Sequence, residues 1–163
     1  MGSQPNADEL TFYERIKSLC PSITQNDYQV TSKATSLYNC VAWVLDDEAK
    51  WWEPVVDGGY YWPSSGDLGD YSIQAYARMF EAQGFSVCDR WGVEDGLEKI
   101  ALYANVDDEF THVASQCISG RWSSKLGDWE DIEHDDLAVL EGGPYGSARI
   151  VMCRKRTHSM LPL

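Results

Sequence analysis

Cys40 and His112 are the two side chains of this sequence whose setting suits covalent chemistry. Cys40 follows Asn39, a residue type that caps helices, and opens the apolar run Val41-Ala42-Trp43-Val44-Leu45. A thiol in a first helical turn meets unpaired backbone N–H groups and the positive end of the dipole, which favour thiolate. An attacking thiolate needs a partner that takes and returns a proton near neutral pH, and imidazole does this. The three histidines differ in setting: His112 heads an apolar strand-like run, His134 follows an acidic run, and His158 lies in a basic tail. Catalytic groups are best held by rigid elements, so His112 is the partner selected. The plain alternative is that both residues only pack the core.

The elements that must position this pair are readable from periodicity. In Asp8–Cys20, Leu10, Tyr13, Ile16 and Leu19, with Phe12, recur near helical spacing, and Pro21 ends the run. A short extended piece follows at Tyr28–Thr31, then the short helix opened by Cys40. Asp70–Gln83 reads as a helix with Ile73, Tyr76, Ala77 and Phe80 on one face and Gly84 at its end. Strand-like pieces then dominate: Phe85–Asp89, Lys99–Tyr103, Thr111–Ile118, Arg121–Leu126 and Ala148–Arg154, with a turn at Ser119-Gly120. A short helix is expected at His134–Leu140. Helices first and strands after give an α+β class, N-terminal helices packed on an antiparallel sheet. The expected organisation is a loose segment 1–7, one domain over 8–156 and a tail at 157–163. Between the early helices runs an aromatic loop from Trp51-Trp52 to Tyr60-Tyr61-Trp62-Pro63, suited to a lid or to the wall of a site.

Composition narrows the function classes. The chain carries 26 acidic against 13 basic residues, a net charge of -13, which repels phosphate backbones and anionic membrane surfaces. No nucleic acid or membrane partner is therefore expected, and a peptide or protein partner of basic character suits the charge. Five cysteines, none at CxxC spacing, argue against a zinc ribbon or a full disulfide framework. Asp131 and His134 share a three-residue spacing, but a capping or salt-linked histidine is the simpler reading, so no metal and no cofactor is expected. Residues 1–10 hold no apolar leader and no run is long enough to span a bilayer, so a cytoplasmic setting is expected, with signal-independent secretion as the other route.

The order and setting of Cys40 and His112 resemble the papain-like cysteine hydrolases, most closely the NlpC/P60 group of cell-wall peptidases. The stretch from His112 through Gly120-Arg121-Trp122 to Ser124 has the length of that group's catalytic hairpin. A small uncharacterised bacterial family is also similar in wording: Tyr-Asn-Cys-x-Ala-Trp at Tyr38–Trp43, Tyr-Trp-Pro at Tyr61–Pro63, Thr-His-Val-Ala at Thr111–Ala114, Ser-Lys-Leu-Gly at Ser124–Gly127 and Asp-Ile-x-His at Asp131–His134. The papain-like resemblance implies an α+β, NlpC/P60-like fold and a cysteine-dependent amide hydrolase, a peptidase or amidase working through a thioester. It implies Cys40 as nucleophile, His112 as base and Ser124 as the third residue orienting the imidazole. That group's helix usually begins Asp-Cys-Ser-Gly, whereas this one reads Asn39-Cys40-Val41-Ala42. Serine brings no charge to the third position, and Asp128 or Asp131 would supply one in another register. Tyr28, Asn39 and Gln116 are candidate oxyanion donors, and Trp52 and Trp62 candidate groove residues.

Three rival readings stand beside hydrolysis. One is transglutaminase-like acyl transfer by the same residues. Another is a non-catalytic protein-interaction module whose acidic surface takes a basic partner and whose aromatic loop makes the contact. The last is a toxin-like effector or its neutralising partner.

Overall fold

The structure is a computed structural model that describes residues 6–55, 58–64 and 66–156. Its first element, α1 (Ala7–Leu19), starts one residue earlier than the apolar period suggests, because Asn6 and Glu9 form a reciprocal capping box. Residues 6 and 7 are thus part of the helix start rather than of a loose segment; residues 1–5 and the expected tail 157–163 lie outside the described residues. After β1 (Tyr28–Ser32) comes α2 (Cys40–Val44), only five residues long. The Asn39 side chain caps it by accepting from the Ala42 N–H at 3.2 Å. The same amide accepts from the Trp52 N–H at 3.3 Å and donates to its carbonyl at 2.7 Å. One side chain therefore starts the helix and ties the aromatic loop to it. Helix α3 (Ile73–Ala82) is capped by Ser72 and buries Ile73, Tyr76, Ala77 and Phe80.

The remaining strands are β2 (Ser86–Val87), β3 (Leu97–Ala104), β4 (Phe110–Gln116), β5 (Trp122–Lys125), β6 (Asp131–His134) and β7 (Ser147–Lys155). With β1 they make one seven-stranded sheet in the order β1-β6-β5-β4-β3-β7-β2, every pair antiparallel. Helices cover both faces. One face packs Ile100, Leu102, Val113 and Met152 against α2, α3 and Trp52. The other packs Ala101, Tyr103, Ala114, Trp122 and Ile132 against Phe12 and Ile16 of α1 and the single 3-10 turn Leu137–Leu140.

This architecture corrects the expected papain-like α+β layout. The molecule is mainly an antiparallel sheet with few and short helices, split between its two faces, rather than an N-terminal helical layer packed on a sheet. The expected helix at His134–Leu140 is also corrected. Asp131–His134 pairs with β1 on one side and β5 on the other, leaving only the 3-10 turn beyond it. Where β7 enters the sheet, Gly146 lies against β3, and any side chain there would overlap the Ala104 carbonyl oxygen.

Candidate functional site

Side chains alternate between the two faces of a strand. In β4, Val113 joins the cluster that holds Cys40, whereas Ala114 belongs to the α1 side. His112 shares the parity of Ala114, pairs with Tyr103 in β3, and has its ring 5.4 Å from the Tyr103 ring. Cys40 and His112 therefore lie on opposite faces of the sheet, separated by its backbone. His134 lies on the His112 face as well, while His158 lies outside the described residues. The expected thiol–imidazole pair is not assembled, because one residue of strand register decides the face. The Cys40 environment agrees. Burial pushes its thiol up to about 11, against the opposing pull of nearby backbone groups of Val113 and Val41. The helix-start effect expected to favour thiolate is overcome by desolvation.

The partner expected to orient His112 is where the hairpin count put it. Ser124 Oγ lies 2.9 Å from His112 Nε2, and 2.8 Å from His134 Nε2. The three side chains are 0–1 % exposed. His134 Nδ1 is 2.9 Å from the Asp136 carbonyl, which can only accept, so Nδ1 carries the hydrogen and Nε2 is an acceptor. The single Ser124 hydroxyl proton thus goes to His134, and His112 Nε2–H donates to Ser124. Both rings are neutral in this arrangement. Burial, with His134 as neighbour, holds His112 down to about 3, and burial holds His134 down to about 4. His112 stacks on Tyr145 at 4.5 Å, and its Nδ1 finds no partner among the described residues. This chain of hydrogen bonds is interior framework.

The other expected site residues divide between the faces. Tyr28 pairs with His134 on the α1 side and meets Phe12 edge-on at 5.5 Å. Gln116, on the same side, donates to the Trp91 carbonyl at 3.1 Å. Asn39, Trp52 and Trp62 lie on the α2 side. Trp52 is buried and donates its indole N–H to Asp47 at 2.8 Å. Trp62 meets Tyr76 edge-on at 5.2 Å. These tryptophans anchor the aromatic loop.

A site the residue motifs did not reveal lies on the α2 side of β4, β5, β6 and β1. Two adjoining depressions of about 220 and 470 Å³ share Trp43, Glu48 and Ser123. Tyr38 and Trp43, stacked at 5.8 Å, form a wall, and Trp43 is held by its indole N–H donating to Ser123 at 3.0 Å. Asp46, Glu48, Asp131 and Glu133 contribute carboxylates to the lining, which includes no basic residue among the described residues. Asp131 is buried and accepts from the hydroxyls of Thr31 and Ser32. Asp46 and Glu48 are exposed and have no ion-pair partner among the described residues. Beneath the wall, the buried Lys125 ammonium lies 5.2 Å from the Tyr38 ring centre and donates to the carbonyls of Thr35, Gly127 and Trp129. A usable signal was the alternation Asp131-Ile132-Glu133-His134, which on a strand sends both acids to one face.

A family described as Domain of unknown function (DUF7689) matches residues 29–153. The chain belongs to this family. No curated protein and no solved structure matches it. The DUF7689 span contains the entire lining of the acidic cleft and all three members of the His112–Ser124–His134 chain, and it leaves α1 outside. Among the described residues no group of three or more His, Cys, Asp or Glu side chains is arranged to hold a metal ion, and no helix is long and apolar enough to cross a membrane.

Proposed function

We propose that this DUF7689 domain is a binding module that takes a lysine- or arginine-bearing peptide segment into the cleft walled by Tyr38 and Trp43. The observation that carries this reading is a concave surface with an aromatic wall, two carboxylates, Asp46 and Glu48, and, among the described residues, no ion-pair partner for either and no cation in the lining. A long cationic side chain complements it in two ways. Its stem or guanidinium plane lies on the exposed part of Trp43, and its charge faces Asp46 and Glu48. The net charge of -13 adds long-range attraction for such a partner and raises its rate of encounter. The contact falls on the α2 wall rather than on the aromatic loop, whose tryptophans are used as anchors.

The peptidase and acyl-transfer readings rest on the resemblance alone, since neither described histidine reaches the Cys40 face. One titration separates the readings. An arginine-rich peptide added to the protein at low salt is expected to shift the backbone amide NMR signals of Ser115, Ser123 and Trp43. The double substitution D46N/E48Q should weaken its binding on the order of ten-fold. Unchanged affinity in that variant, or equal binding of a glutamate-rich peptide, would remove the cleft from consideration. Rapid labelling of Cys40 by iodoacetamide at neutral pH would instead restore the nucleophile.

A further inference from the structure

We infer that Cys88 and Cys153 form a reversible intramolecular disulfide that fastens the short edge strand β2 to β7. The pairing is set by register. Ser86 opposes Cys153 and Val87 opposes Met152, and the Cys88 N–H continues the ladder by donating to the Val151 carbonyl at 3.0 Å. Cys88 and Cys153 therefore project from the same face as diagonal neighbours, and burial, then the neighbouring Cys153 thiol, push the Cys88 thiol up to about 11. The Cys88 thiol donates to the Arg90 carbonyl at 3.5 Å. Both cysteines are partly exposed, unlike Cys20 and Cys40, so a small oxidant reaches them. Diagonal positions lie slightly farther apart than an unstrained disulfide requires. Here one partner follows a strand of only two residues at the sheet's edge, and a small shift of that end closes the gap.

The oxidant is a low-molecular-weight disulfide. One cysteine loses its proton and attacks a sulfur of the reagent, forming a mixed disulfide and releasing one small thiolate. The second cysteine loses its proton and attacks the protein sulfur of that mixed disulfide, releasing the other. Two protein thiols and one small disulfide become one protein disulfide and two small thiols, so electrons and protons balance.

Incubation of the full chain with glutathione disulfide at mildly alkaline pH tests this. The expected product has two of the five thiols silent to Ellman's reagent in denaturant and a mass lower by two hydrogens. A single peptide link, present only under non-reducing conditions, joins Cys88 to Cys153 on mapping, and dithiothreitol restores all thiols. C88S and C153S, each a change at a partly exposed site, are expected to stop at a glutathione adduct on the remaining cysteine. Retention of all five thiols, a link to another cysteine, or a dimer joined through these residues would overturn the inference.

Discussion

Ser124 shows how much one small side chain carries in this interior. Its hydroxyl is shared by two imidazoles and is fully buried. Ser124→Ala leaves a buried donor on His112 and a buried acceptor on His134 without partners. Each orphaned polar group costs about 1–3 kcal/mol, so the loss expected from urea unfolding is about 2–5 kcal/mol. A loss under half a kcal/mol would show that the hydroxyl is not shared. The same residue illustrates what sequence can convey. Its distance from His112 along the hairpin was legible, because a tight turn at Ser119-Gly120 fixes the count, with Gly120 at φ +92° and Gly120 N–H bonded to the Cys117 carbonyl. The side of the sheet on which His112 lies relative to α2 was not legible. It depends on which side of the sheet α2 packs, a long-range fact with no local signature.

At the scale of elements, the strongly patterned pieces were read and the weakly patterned one was missed. Helices α1 and α3, the short helix behind Asn39 and the strands β3, β4, β5 and β7 all announce themselves through period or caps. Strand β6 has one apolar residue, Ile132, among three polar ones, so its acids resembled a loop and its histidine a helix start. Only pairing with β1 and β5 makes it a strand. The connections are governed by buried lysines in the same way. Lys99 donates to the carbonyls of Arg90 and Gly92 and to Glu94, and Lys125 gathers the carbonyls of Thr35, Gly127 and Trp129. Lys125→Ala strips three acceptors of a charged donor and opens a cavity under Tyr38, with an expected cost of about 3–5 kcal/mol. Lys125→Met refills the space but not the acceptors and should recover only part of the loss. Chemical denaturation of both variants checks the order.

For the whole molecule, the two buried histidines set its response to acid. Their ordinary value is 6.5, and the fold holds them down to about 3 and about 4. Above pH 6.5 neither folded nor unfolded chain binds these protons, and the contribution is fully present. As the pH falls below 6.5 the unfolded chain takes up two protons that the folded chain refuses. Stability then drops by about 1.4 kcal/mol per pH unit for each histidine, and the fall ends once the folded values near 4 and 3 are passed. The urea midpoint is therefore expected to decline already between pH 6.5 and 5, above the range where carboxylates titrate; a flat profile there would contradict neutral, buried rings. The sheet that holds these rings has a further consequence. From His112 onward in β4, and in β5 and β6, the odd-numbered positions lie on the α2 side, where the cleft is, and the even-numbered ones on the imidazole side. Ligand preference and acid tolerance can thus be retuned independently, by exchanging alternate letters of the same three short words.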